Sequence, residues 1–162
     1  MDQTGSLPAF AEPSAVFERY ADTVYRLALM RTQNRADSDD ILQEVFLRYL
    51  RVWKTMQSEE HVKAMLIRMT LNRSKSLLSS AWFRKTEPLG DFLPAKETPA
   101  DDVLTAVWAL PEKYRTVVHL HYYHGYSVEE TADLLSLSPS AVKTRLFRAR
   151  ETLKKQIKAE DL

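Results

Sequence analysis

The run from Ser127 to Arg150, SVEETADLLSLSPSAVKTRLFRAR, constrains this chain more than any other stretch, because it contains two helix starts only eleven residues apart. Ser127 with Glu130 has the S-x-x-E form of a capping box, and Ser138 before Pro139 places an N-cap ahead of a proline at the first helical position. Two helices around a tight turn are predicted. Ala132, Leu135 and Leu137 supply small or apolar positions inside that turn, and Val142, Leu146, Ala149, Leu153 and Ile157 repeat at helical spacing as a buried stripe. The opposite face of the second helix carries Ser140, Lys143, Thr144 and Arg148. Between residues 138 and 158 stand seven Lys or Arg against one acid, Glu151, in a chain whose net charge is +1. A basic amphipathic helix alone is most often a solvated face. Two aligned caps, an apolar turn and an outward face of hydroxyl and basic groups read instead as a helix-turn-helix. Its second helix is expected in a major groove, with cations against phosphates and guanine acceptors.

The rest of the composition narrows the fold. Three glycines in 162 residues, no long alternating β-branched run, and a bias to Leu, Ala, Arg, Glu and Met predict an all-α chain of two small helical domains. The absence of cysteine excludes disulfides, thiolate-held zinc and thiol catalysis, and suits a reducing cytoplasm. No stretch approaches the roughly 18 apolar residues of a membrane span, and MDQTGSLPAFAEPS is no signal peptide, so a cytoplasmic protein without direct membrane insertion is expected.

Along the chain, residues 1–13 are expected to be a disordered tail. Pro13 and Ser14 announce a helix to about Met30, with Phe17, Tyr20, Ala21, Val24, Leu27 and Ala28 on its apolar side. A second helix is predicted from about Asp37, where DSDD puts acids in a first turn. It offers two adjacent apolar stripes, Ile41, Val45, Tyr49 and Val52 beside Leu42, Phe46 and Trp53. TMQSEEH is read as a loop, and VKAMLIRMTLNRSKSLLSS as a third helix closing a domain over residues 14–85. The segment 86–102 is predicted to be an acidic, flexible linker, because prolines at 88, 94 and 99 forbid a long helix. VLTAVWALP and PEKYRTVVHLHYYHG then form two helices, the second closed by Gly125, that support the helix-turn-helix in a domain over 103–162.

The order of DSDDILQEVFLRYLR, a proline-rich linker, and LPEKYRTVVHLHYYHGYSVEETADLLSLSPSAVKTRLFRAR resembles the extracytoplasmic-function sigma factors of bacterial RNA polymerase. The resemblance covers nearly the whole chain and corresponds to the family's second and fourth regions. It implies a dissociable initiation subunit with no active site and no cofactor, which binds core RNA polymerase, places it on promoter DNA and helps open the duplex. Asp40, Gln43 and Glu44, with Arg48 one turn on, match the face that docks on the polymerase clamp. The loop and third helix match the part that captures the minus-10 element, with Asn72 at the family's asparagine and His61, Lys63, Arg68 and Arg73 nearby. Met65, Ser76, Ser79 and Ser80 depart from the family's tryptophan, acid and basic residues, and Arg84 and Lys85 lie beyond them as further cations. Ser138, Ser140, Lys143, Thr144, Arg145 and Arg148 match the minus-35 reader, with Lys143 and Arg145 assigned to phosphates; Phe147 projects to the same side. An anti-sigma factor is the regulatory partner the resemblance implies.

Rival readings are fewer. His119, His121 and His124 invite a metal site, but α-helical spacing lets only His121 and His124 share a face, and packing among Tyr114, Tyr122 and Tyr123 is the ordinary expectation. No glycine-rich phosphate loop and no nucleophile with its base is present, which argues against an enzyme. The serious alternative is a conventional helix-turn-helix transcriptional regulator whose first half senses a ligand or dimerises. The DSDDILQEVF string is what such a sensor has no reason to possess.

Overall fold

The computed structural model describes residues 7–84 and 100–160, with side chains over 7–80 and 103–157. The described residues are helical, contain no β-strand, and fall into two compact units divided at Lys85 and Thr86.

The first unit is a bundle of three long helices, α1 (Pro13–Thr32), α2 (Arg35–Val52) and α3 (Glu59–Arg84). Each start has a local chemical cause. The Glu12 carboxylate accepts the backbone N–H groups of Ser14 and Ala15, both at 3.0 Å, with Pro13 at the first helical position. Those two bonds favour the ionised form and hold the Glu12 carboxyl below its ordinary range. α1 ends at Gln33 in the left-handed region (φ 52), and Asn34 Oδ1 then accepts from the Asp37 N–H at 2.9 Å, so α2 starts two residues before the expected Asp37. Ser58 caps α3 by accepting from the His61 N–H at 3.0 Å, and the last three residues of the expected loop, Glu59, Glu60 and His61, lie in the helix.

Between these helices Val16, Val24, Leu27, Ile41, Val45, Tyr49, Val62, Leu66 and Ile67 are buried. Arg31 is buried as well, and its Nε–H donates to Ser74 Oγ at 2.9 Å, tying α1 to α3. The expected tail begins to be ordered before residue 13. Ala9–Ala11 form a 3-10 turn, Ala11 is fully buried, and the Tyr49 hydroxyl donates to its carbonyl at 2.7 Å. The fixed point is supplied from 38 residues away, where no local signal reveals it. Residues 1–6 lie outside the described residues.

The second unit comprises α4 (Ala100–Trp108), α5 (Glu112–Val118), α6 (Val128–Leu135) and α7 (Pro139–Glu160). The linker expected over 86–102 lies mostly outside the described residues; its last three positions, 100–102, form the start of α4. α5 runs into a π-helical turn, His119–Tyr123, and Gly125 follows with φ +75. The expected capping box is present: the Glu130 N–H donates to Ser127 Oγ and the Ser127 N–H to Glu130 Oε1, each at 3.0 Å. Ser136 closes α6 in the left-handed region (φ 56), and Ser138 Oγ accepts from the Ala141 N–H at 3.1 Å to open α7. Val142, Leu146 and Ala149 are buried as expected, but Leu153 is half-buried and Ile157 exposed. Among the described residues the stripe of this 22-residue helix is thus less covered toward its C-terminal end.

Candidate nucleic-acid and protein interfaces

On α7 the buried stripe fixes which residues face water. Ser138, Ser140, Lys143, Thr144 and Arg148 are exposed, and Arg145 is half-buried at the edge of the face. Phe147 is 57% exposed, so nothing among the described residues covers it. Tyr122 is also exposed, and its hydroxyl accepts a hydrogen bond from Arg150 Nη1 at 2.9 Å, a link the sequence did not announce. Glu151, the only acid among residues 139–157 of this helix, lies near Lys154 at 3.9 Å. The surface is a helix of cations and hydroxyls, fit for a polyanion.

The first unit exposes the opposite kind of surface. Pro13, Phe17, Phe46, Leu47 and Leu50 line a groove of about 540 Å³ between α1 and α2, with Gln43 on its rim. Phe17, expected in the core, is 46% exposed and meets Phe46 edge-to-face at 4.9 Å; Leu47 and Leu50 are 62% and 53% exposed. Asp40 and Gln43 are exposed beside them on α2. An apolar groove with polar groups at its edge has the anatomy of a protein interface.

The residues expected at the minus-10 element are dispersed over α3. The imidazole of His61 turns back to its own loop, where Nδ1 accepts the Gln57 N–H at 3.2 Å. Lys63 and Arg68 are half-buried, Met65 packs on the core, and Asn72 is exposed. Arg73 forms an ion pair with Glu44, and the two line a polar depression of about 340 Å³ with Arg48, Asn72 and Ser76. Two residues assigned to the polymerase face thus meet two assigned to DNA. Ser79 and Ser80 are exposed further along, while Arg84 and Lys85 lie outside the described side chains.

The histidines are arranged differently from the α-helical expectation. In the π turn the His124 N–H reaches the His119 carbonyl at 3.1 Å, five residues back, and the two rings meet edge-to-face at 4.8 Å. His119 also stacks on Tyr123 at 4.7 Å, and His121 Nδ1 bonds the Tyr126 carbonyl at 2.7 Å. Among the described residues no three His, Cys, Asp or Glu side chains converge to hold a metal, and no helix is long and apolar enough to cross a membrane.

Comparison with known proteins assigns both units. Sigma-70 region 2 matches residues 16–84, and sigma-70 region 4 matches residues 100–153. The chain is 30% identical to the ECF RNA polymerase sigma factor SigM of Mycobacterium tuberculosis, over 85% of this chain and 73% of that protein. This chain belongs to the ECF sigma factors of the sigma-70 family. It is also 32% identical to the ECF sigma factor BldN of Streptomyces coelicolor over 93% of its own length, and spans 61% of that longer relative. The fold matches the sigma factor RpoE from Bartonella quintana, solved with the anti-sigma factor NepR, at a TM-score of 0.74 and 17% identity, over 88% of this chain and 94% of that one.

In this sigma factor the first unit is therefore region 2 and the second region 4. Two features of region 2 escaped the sequence reading. The groove was missed because Phe17 was assigned to the core, as apolar residues on an amphipathic helix are by default, while Leu47 and Leu50 belonged to neither apolar stripe of α2. The signal was there in α2, whose apolar residues cover a wider arc than two neighbouring helices can bury. The Glu44–Arg73 pair joins positions 29 residues apart and has no local signature.

Proposed function

We propose that this chain is a dissociable initiation subunit of bacterial RNA polymerase. Region 2 docks on the core enzyme and captures the minus-10 element, and region 4 reads the minus-35 element. The observation that carries this is the pairing, on one chain, of an apolar protein-docking groove in the region 2 unit with an exposed cationic recognition helix in the region 4 unit.

The docking surface consists of Asp40 and Gln43 with Phe17, Leu47 and Leu50, where desolvation of the apolar groups gives affinity and the polar rim gives register. Glu44 and Arg48 border it on the side of α3. Asn72, Arg73, Lys63 and Arg68 form the minus-10 surface, and His61 shapes the adjoining loop through its bond to the Gln57 N–H. Ser140, Thr144 and Arg148 face base edges of the minus-35 element, while Lys143 and Arg145 meet phosphates and Ser138 holds the helix start. The protein acts by binding rather than as an enzyme, and works in the cytoplasm beside the polymerase. Its regulatory partner is an anti-sigma factor, a reading supported by a structural neighbour solved with one.

The test is multi-round transcription by purified core RNA polymerase on the DNA upstream of this protein's own gene. A discrete transcript that depends on the protein and fades with Asp40→Ala or Arg148→Ala is expected. No transcript and no comigration with core, together with a salt-sensitive footprint by the protein alone, would favour a conventional helix-turn-helix regulator.

A further inference from the structure

None of the promoter or polymerase surfaces includes the His and Tyr cluster of region 4, yet one of its members reaches the recognition helix. In the π turn His119–Tyr123, His121 Nδ1 bonds the Tyr126 carbonyl at 2.7 Å; a carbonyl only accepts, so this nitrogen carries the proton. The His121 ring in turn meets Tyr122 edge-to-face at 4.9 Å. Tyr122 is 57% exposed, and its hydroxyl accepts from Arg150 Nη1 at 2.9 Å. Arg150 is exposed as well, and Glu151, the acid next to it in sequence, lies by Lys154 instead. Position along α7 gives this bond a direction. Lys143 and Arg150 are seven residues apart, so they share one edge of the exposed face about 10 Å apart along the axis, with exposed Phe147 between them. The edge that presents Lys143 to a phosphate therefore continues at Arg150.

We infer that Tyr122 and Arg150 form a phosphate clamp beside the base-reading face of α7: Arg150 offers its guanidinium to one backbone phosphate of the promoter, and the Tyr122 hydroxyl, held against that guanidinium, donates to the same phosphate. This rests on the reading of region 4 as the minus-35 binder, and extends its contacts to the turn that follows α5. The chemistry is complementary. The bond to Tyr122 uses Nη1 and leaves Nε and Nη2 to donate, a fork that matches two phosphate oxygens. A tyrosine hydroxyl both accepts and donates, so after accepting from Arg150 it keeps its own proton for a third group. A hydrogen bond between two exposed side chains competes with water and adds little to folding. What it does is hold a long arginine in place, which reduces the side-chain entropy lost when the phosphate is met.

A double-mutant cycle on the full chain tests the clamp. Tyr122→Phe, Arg150→Ala and the double variant are assembled with purified core RNA polymerase, after far-ultraviolet circular dichroism has verified their helical content. Equilibrium binding to the DNA upstream of the gene is measured over a range of salt concentrations. Arg150→Ala should weaken promoter binding by about tenfold and reduce the slope of log affinity on log salt by about one, as loss of a single phosphate contact requires. Tyr122→Phe keeps the ring and loses only the hydroxyl; it should weaken promoter binding by about threefold beside Arg150 and by no measurable amount once Arg150 is replaced, a coupling that a merely packed ring would not show. Arg150→Lys, which keeps the charge without the fork, should fall between wild type and Arg150→Ala. All these losses should be the same on promoters with altered minus-35 bases, because a phosphate carries no sequence. Unchanged promoter binding in Arg150→Ala, additive losses in the double variant, or losses that vary with the minus-35 bases would each overturn the clamp. So would a loss of core affinity without one on DNA, which would make the Tyr122 and Arg150 patch a protein contact. A wild-type chain that binds neither core nor promoter overturns the sigma-factor reading itself, before any variant is compared.

Discussion

Region 2 and region 4 are both helical, but they secure their helices by different means. The three helices of region 2 are 20, 18 and 26 residues long, and a common apolar core runs between them. In region 4 α6 has only eight residues and α5 only seven before its π turn, lengths that are unstable in isolation. They depend on end chemistry: the reciprocal bonds of Ser127 and Glu130, left-handed Ser136, left-handed Gly125 and the Ser138 cap. The surfaces differ in the same sense. Region 2 leaves Phe17, Leu47 and Leu50 exposed in an apolar groove, whereas region 4 exposes a row of cations on its longest helix. Packing thus dominates in the unit with the exposed apolar groove, and caps hold in place the helix that carries the exposed cations.

The largest effects should come from the two cores. Leu66 and Leu146 are 1% and 2% exposed, and Leu66→Ala or Leu146→Ala should each cost about 2–5 kcal/mol. Hydrogen exchange should show each loss within the unit that holds the residue, and protection lost equally in both units would break the division between them. Next come the surfaces, where folding should be nearly untouched. Leu50→Asp should weaken core-polymerase binding by about 1–3 kcal/mol without altering affinity of the isolated chain for promoter DNA. Arg148→Ala should do the reverse, costing about 1–3 kcal/mol on the promoter and relaxing its specificity while core affinity stays fixed. Pull-down with core and equilibrium DNA binding at one stated salt concentration test both; a variant that damages both interactions would show that the two faces are not separable.

Tyr49→Phe probes the join between packing and polar chemistry in region 2. The hydroxyl donates to the buried Ala11 carbonyl at 2.7 Å, so its loss should cost about 1–1.5 kcal/mol in urea unfolding. Burial, aided by Tyr20 and Glu12, pushes the Tyr49 hydroxyl up to about 12. A raised value means the folded protein holds this proton more tightly than the unfolded chain does. The stability it contributes is therefore complete below about pH 10 and lost as pH rises toward 12. The advantage of wild type over Tyr49→Phe should close across that window, and a constant gap would mean that the hydroxyl does not titrate as its burial requires.

What could be read in advance follows the same contrast. The Ser127–Glu130 and Ser138–Pro139 starts were legible because a cap is made by residues within three positions of one another. The core stripes of α2 and α7 were legible for a similar reason, since a helix repeats every 3.6 residues and burial follows the repeat. The errors arose where distant parts decide. Ala11 is ordered by Tyr49, and His119 meets His124 because the chain shifts to π spacing. Of the site, α7 was readable from its charge, whereas the apolar groove and the Glu44–Arg73 pair depend on how α1, α2 and α3 are packed.

The smallest expected effect tests how far region 4 relies on its caps. Hydrogen bonds with the Ser127 backbone and side chain hold the Glu130 carboxyl below its ordinary range. A lowered carboxylate gives stability that is present above the unfolded value of about 4.3 and lost as pH falls through the folded one. Glu130→Gln keeps a side-chain oxygen at the same position but removes the charge, so it should be slightly less stable than wild type at pH 7 and converge with it on acidification below about pH 4. Ser127→Ala removes the other half of the box and should cost about 1 kcal/mol. Glu12 titrates in the same direction at the start of α1, so acidification loosens both units, and the informative quantity is the difference between wild type and Glu130→Gln in the protection of α6 amides. A difference independent of pH would assign the stabilisation to the hydrogen bond alone and leave no electrostatic part for the helix dipole. A difference that closes in acid would mean that the position of the recognition helix rests partly on one exposed carboxylate, a dependence that the packed helices of region 2 have no need of.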